Sequence, residues 1–145
     1  MIKILVIDDP KMDGVSYWRN VEPFAALRRQ YPDKIHIQNC QEKNVSIQET
    51  KQFDIVVMFR PTTTESLQFV KNCKSLGCRV ILDIDDDLWS LPYYHPMAMN
   101  YDKYKDTARQ IYNLADTVWT STDQLRYVLG DLSRSEVMPN AVHPD

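Results

Sequence analysis

The sequence predicts a doubly wound α/β fold, a mainly parallel sheet with helices on both faces. Three observations lead there. The runs Ile2–Ile7, Phe53–Phe59 and Cys78–Ile84 are apolar, rich in β-branched residues and continuous rather than alternating, as strands covered on both faces are. Between the second and third lies a stretch with helical spacing, which makes a βαβ unit of right-handed crossover. The chain has 145 residues, 43% hydrophobic and 26% charged, the composition of an ordinary globular protein with one core.

Taken in order, Ile2–Ile7 is the first strand. A helix follows between about Ser16 and Gln30, with Tyr17, Val21, Phe24, Ala25 and Leu27 as its apolar face; Pro23 kinks it or marks its true start. Residues 34–38 alternate as a more exposed strand, and 40–52 form a polar connection. After the strand 53–59, Thr62 and Glu65 have capping-box spacing, Leu67, Val70, Cys73 and Leu76 share one helix face, and Gly77 suits a left-handed helix end. The strand 78–84 comes next. Tyr101, Tyr104, Ala108, Ile111, Tyr112 and Ala115 then mark a helix with Asn100 as its N-cap. A short strand Thr117–Thr120, a helix from Thr122 to Leu129 stopped by Gly130, and a strand at Glu136–Met138 complete the order β-α-β-β-α-β-α-β-α-β. In such sheets the ligand crevice lies beyond the carboxyl ends of the strands, so residues 8–16, 59–63 and 83–97 are expected to line the functional edge.

Composition excludes several functions. The only glycines are Gly14, Gly77 and Gly130, so no Gly-rich phosphate loop of either common kind can be written. A formal charge of −3 offers no footprint for nucleic acid. No apolar run approaches the ~20 residues of a membrane span, and the first strand is too short for a signal segment, so the expected location is cytoplasmic. Cys40, Cys73 and Cys78 are odd in number and lack a C-x-x-C pair, which suggests reduced, buried thiols rather than a disulfide framework or a zinc site.

Three constellations carry candidate chemistry. Asp8-Asp9 at the end of the first strand is similar to the Mg²⁺-binding corner of a response-regulator receiver domain. The third strand, however, ends Met58-Phe59-Arg60-Pro61 with no carboxylate to phosphorylate, and Asp83 and Thr120 stand where a hydroxyl and a lysine are needed. The run Asp83-Ile84-Asp85-Asp86-Asp87 places four carboxylates in five residues, tolerable only if they are solvated, paired with Lys or Arg, bonded to backbone amides or bound to a cation. It stays open between a Mg²⁺ or Ca²⁺ site, a set of loop caps and a contact to sugar hydroxyls. Trp89, Tyr93, Tyr94 and His95 follow it, and flat rings beside carboxylates suit a carbohydrate. Finally, Gly14 opening a helix with Arg19 one turn in reads either as a structural turn or as an anion contact.

These stretches together resemble a known family. Gly14-Val15-Ser16-Tyr17-Trp18-Arg19 with Pro23 and Leu27, the segment Val80–Trp89, and Ala115–Thr122 leading to Val137-Met138-Pro139-Asn140-Ala141-Val142 are similar to the N-terminal Rossmann-like domain of GT-B-fold, group 1 glycosyltransferases. The departures are Ala141 where the linker usually has glycine, a single glycine in the first loop, and an acidic run where many relatives have a histidine loop. The resemblance implies a Rossmann-like domain over residues 1–138, with 139–145 beginning an interdomain linker or tail. It also implies a metal-independent transferase with no cofactor of its own, whose nucleotide-sugar is held mainly by a second Rossmann-like domain.

The expected function is therefore the acceptor-side domain of a nucleotide-sugar-dependent glycosyltransferase of hexosyltransferase type, active only with that second domain. Asp85 and Asp86 are the expected catalytic carboxylates. Gly14, Arg19, Arg60, Trp89, Tyr94 and His95 are the expected contacts to a carbohydrate or other hydroxyl acceptor. The alternatives are a non-catalytic Rossmann- or receiver-like module acting through a protein partner, and an acid-cluster enzyme using Mg²⁺.

Overall fold

Among the described residues six strands, β1 (Ile2–Ile7), β2 (Ile35–Cys40), β3 (Ile55–Phe59), β4 (Arg79–Ile84), β5 (Thr117–Thr120) and β6 (Ser135–Val137), form one sheet in the order β2-β1-β3-β4-β5-β6. The computed structural model describes residues 1–8, 14–87, 90–96 and 98–140. Every strand pair is parallel, and the fold is Rossmann-like α/β. The helical segments are α1 (Gly14–Ser16), a π-helical turn (Tyr17–Val21), α2 (Glu22–Gln30), a 3₁₀ turn (Glu42–Asn44), α3 (Ile47–Thr50), α4 (Thr64–Ser75), α5 (Ala98–Leu114) and α6 (Asp123–Leu129). Among the described residues no helix is long and apolar enough to cross a membrane.

The continuous apolar runs serve both faces because side chains alternate along a strand. Leu5 and Ile7 of β1 join Val56, Met58, Val80, Leu82 and Val118 beneath Val70, Ile111 and Leu125 of α4, α5 and α6. Ile4 and Val6 point the other way, with Ile37, Val57 and Ile81 beneath Phe24 of α2. Each fully buried Val, Leu or Ile stabilises the fold by about 1.5–3 kcal/mol relative to exposure. The register, with Val6 opposite Val57 and Val57 opposite Ile81, keeps like faces aligned.

Local chemistry sets the boundaries, and it corrects several sequence expectations. The N-cap of α4 is Thr63, whose hydroxyl accepts the Ser66 N–H, so Thr62 and Glu65 do not form the capping box. Helix α5 begins at Ala98, which is buried, so Asn100 lies inside the helix rather than capping it. Pro23 is the second residue of α2, within a helical run continuous from Gly14 to Gln30. It directly follows a π turn, in which the Glu22 N–H reaches the Tyr17 carbonyl, a local widening of the helix beside a residue that cannot donate an N–H. The polar connection 40–52 contains the 3₁₀ turn and α3, on which Ser46 and Glu49 make a reciprocal capping box. Gly77 and Gly130 end their helices at φ 81° and 87°.

Candidate functional site at the carboxyl edge of the sheet

From β1 the chain runs to β2 on one side and then returns to β3 on the other, so strand order reverses between β1 and β3. This is where open α/β sheets hold ligands. A cleft of about 660 Å³ opens there, lined by Asp8, Glu42, Arg60, Thr63, Ser66 and Phe69 among others. A second hollow of about 110 Å³ lies beside Trp18, Arg19, Asp83, Trp119 and Asn140.

Arg19 comes from the π turn and reaches the end of β4. Its Nε donates to Asp83 Oδ2 at 2.9 Å and its Nη2 also bonds the same carboxylate. Its Nη1 donates to the Met138 carbonyl at 3.0 Å and to Asn140 Oδ1 at 2.7 Å. Both side chains of the pair are almost wholly buried, 4% and 2% exposed. Burial pushes the Asp83 carboxyl above its usual range, and the Arg19 hydrogen bonds and charge pull it back only in part. Trp119, opposite Asp83 in the ladder, stacks on Phe24 at 6.4 Å and covers the same hollow.

Arg60 leaves β3 with φ 42°, a conformation that residues other than glycine adopt at a cost of about 1–3 kcal/mol. That turn is held by its N–H on the Asp83 carbonyl at 3.0 Å. The guanidinium lies 4.5 Å over the Phe59 ring. Its Nε bonds Asp85 Oδ1, its Nη2 donates to Asp85 Oδ2 at 2.6 Å, and its Nη1 sits 3.3 Å from Asp86. The two-point contact with Asp85 is the strong geometry for Arg and carboxylate. Asp85 is nearly buried, whereas Asp86 is 57% exposed.

The acidic run is thus resolved residue by residue. Asp83 goes to Arg19, Asp85 and Asp86 go to Arg60, and Asp87 accepts the Ser90 N–H at 2.9 Å. Among the described residues no three His, Cys, Asp or Glu side chains are grouped so as to hold a metal ion. Tyr93 and Tyr94 are strongly exposed and meet edge to face at 5.5 Å. His95 is exposed and its N–H donates to the Pro92 carbonyl. Gly14 is the exposed first residue of α1, and a Cβ there meets nothing within 4 Å. Trp89, Asp9 and Asp13, and the tail from Ala141, lie outside the described residues.

Two further carboxylates bear on the edge: Asp8, which the sequence singles out as a strand-end acid, and Glu42, which it does not. Asp8 is 9% exposed with Asn39 Nδ2 as its hydrogen-bond donor at 3.3 Å, and burial raises its pKa. Glu42 accepts from Ser66 Oγ at 2.7 Å, and burial raises its pKa too. No local pattern marks Glu42, because its surroundings are made by α4, more than twenty residues away in sequence.

Chemically, the edge offers an exposed carboxylate, Asp86, held beside a fixed guanidinium, in the same connection as an exposed tyrosine pair. Such a group can accept a hydroxyl hydrogen bond or a proton. No protein-family model matches the chain, and no curated protein matches it.

Proposed function

We propose that the chain is the acceptor-side domain of a nucleotide-sugar-dependent glycosyltransferase, with the nucleotide-sugar held by a second Rossmann-like domain. The observation that carries this reading is the convergence on Arg19 of all three stretches that resemble the family. The first stretch supplies Arg19, the second Asp83, and the third Met138 and Asn140. In this reading Arg19 orders the edge from beneath, Arg60 fixes Asp85, and Asp86 meets the acceptor hydroxyl. Tyr94 and His95 offer faces for a sugar ring. The three glycines provide no phosphate cradle, which fits a donor site located elsewhere.

The test is a titration of the chain with glucose, galactose, N-acetylglucosamine and their methyl glycosides, followed by amide NMR shifts, for the native chain and for Asp86→Asn. Shifts at residues 85–95 that Asp86→Asn removes, with the fold intact, support the reading. Ordinary rates of UDP-glucose transfer or hydrolysis by this chain alone contradict it, as does indifference to every sugar.

A second reading, a non-catalytic module acting through a protein partner, is favoured by one observation. Tyr17 and Trp18 of the π turn are 40% and 43% exposed and pack edge to face against each other. Loss of a partner on Trp18→Ala, with no sugar binding in the native chain, would support that reading instead.

A further inference from the structure

The cleft of about 660 Å³ at the strand-order reversal lies within the ordinary size range of small-molecule pockets, about 300–1,000 Å³. Of the residues in the acceptor reading Arg60 borders it, whereas Asp86, Tyr94 and His95 do not line it, so its ligand is distinct from the acceptor hydroxyl. Its apolar lining comes from Ile7, Met58, Phe59, Pro61 and Phe69. These are the strand ends of β1 and β3, the loop after β3, and one residue of α4. The 12-residue helix α4 also begins here, and its dipole alone would favour an anion.

The side-chain charges oppose an anion. Asp8, Glu42 and Glu65 line the cleft against Lys43 and Arg60. Arg60 is engaged by Asp85 and Asp86, which are not part of the lining, so its charge is already matched. Asp8 is nine-tenths buried, and its single donor among the described residues is the neutral Asn39 amide at 3.3 Å, which leaves most of its acceptor capacity unused. Glu42 has the neutral Ser66 hydroxyl, while the charge of Glu65 further disfavours its ionised form. Carboxylates withdrawn from water without a cation are costly, and a ligand that brings the cation recovers that cost on binding.

We propose that this cleft binds a small organic cation, a protonated amine on an apolar body. The body rests on Ile7, Met58 and Phe69, and the ammonium group is directed toward the carboxylates of Asp8 and Glu42. A cationic head alone would be satisfied by any acidic surface; the apolar floor is what selects a molecule with both parts.

Benzylammonium, benzyl alcohol and benzoate separate the contributions, because they share a ring and differ in charge. Each is titrated into the full chain with amide NMR shifts and calorimetry as readouts. The expected result is benzylammonium binding at least about tenfold more tightly than benzyl alcohol, a difference of about 1.4 kcal/mol, with no binding of benzoate and with shifts confined to the cleft lining, residues 7–8, 41–43 and 58–72. Glu42→Gln is expected to weaken benzylammonium about tenfold. Gln68→Trp, which fills the rim from the exposed side of α4 and leaves both carboxylates in place, is expected to weaken all binding and serves where Glu42→Gln does not fold. Equal affinity for the alcohol, shifts elsewhere on the chain, unchanged affinity in Gln68→Trp, or no benzylammonium binding at all overturns the proposal.

Discussion

Arg19 and Asp83 stand 64 residues apart in sequence and form a buried ion pair that ties the π turn to the end of β4. The remaining Nη1 of Arg19 extends the tie to Met138 and Asn140, so one guanidinium fastens the first crossover, the middle strand and the segment after β6. Removing one member of such a pair strands a charge in low dielectric, which costs about 3–5 kcal/mol, whereas replacing both with apolar groups of similar size is often neutral. Arg19→Ala is accordingly expected to lower unfolding stability by about 3–5 kcal/mol in urea titrations, and Arg19→Met with Asp83→Leu to regain most of it. A loss below about 1 kcal/mol for the single variant would mean that the pair behaves like a surface contact.

Asp85 and Asp86 are neighbours with different tasks, and stability separates them. Asp85 is 8% exposed and grips Arg60 through both oxygens, while Asp86 is 57% exposed and approaches the same guanidinium at 3.3 Å. Asp85→Asn should cost about 1.5–3 kcal/mol, the scale of a hydrogen bond to a charged group. Asp86→Asn should stay within about 0.5 kcal/mol, as surface substitutions do. Equal losses in thermal unfolding would contradict the division and remove Asp86 as a group free to serve a ligand.

Much of the fold is legible in the sequence because strand and helix periodicities are local. Phe53–Phe59 and Cys78–Ile84 read directly as buried parallel strands, and Gly77 and Gly130 directly as helix ends. The misplaced boundaries have local causes as well. Thr63 lies next to Thr62 and either can cap, so only the backbone geometry chooses. Ser46-x-x-Glu49 carried a legible capping signal for α3 within a stretch read only as a polar connection. The site is less legible. Residue types alone flagged Arg19, Arg60 and the acidic run, but which carboxylate each arginine takes depends on strand order, a non-local property. Glu42 was invisible because only the packing of α4 beside the 3₁₀ turn buries it.

Gly130 follows α6 at φ 87°, and a Cβ added there would meet nothing within 4 Å. The cost of Gly130→Ala is therefore backbone strain alone, about 1–2 kcal/mol for a left-handed residue with a side chain. The melting temperature should fall by a few degrees, and Gly130→Asn should lose less, since asparagine tolerates this conformation better. An unchanged melting temperature for the alanine variant would show that the chain relaxes out of the left-handed geometry.

The thiols are graded by burial. Cys40 is half-buried whereas Cys73 and Cys78 are buried, and burial pushes the Cys73 thiol up to about 12. Since the thiolate is the reactive form, a thiol-exchange reagent at pH 8 should modify at most Cys40 in the folded chain and all three cysteines once urea unfolds it. Rapid modification of Cys73 under native conditions would require that the α4 face open far more readily than its packing implies.

Asp8 gives the chain a pH dependence of defined sign. Burial raises its pKa in the folded state above the ordinary aspartate value of 3.8, and the hydrogen bond from Asn39 only partly opposes this. The folded state therefore binds the proton more tightly than the unfolded state does. The stabilisation from a protonated Asp8 is complete below about pH 3.8 and is lost as pH rises through the raised value, leaving a buried charge at neutrality. Asp8→Asn removes that charge and should be more stable than the native chain at pH 7 by about 1 kcal/mol, the scale of a favourable single substitution. The advantage should shrink as pH falls toward the ordinary aspartate range, where the native carboxyl is neutral as well. Paired urea titrations of the two proteins between pH 7 and pH 4 measure it. A variant less stable than the native chain at pH 7 would show instead that the Asp8 carboxylate is held by a favourable charge or hydrogen bond stronger than the Asn39 contact.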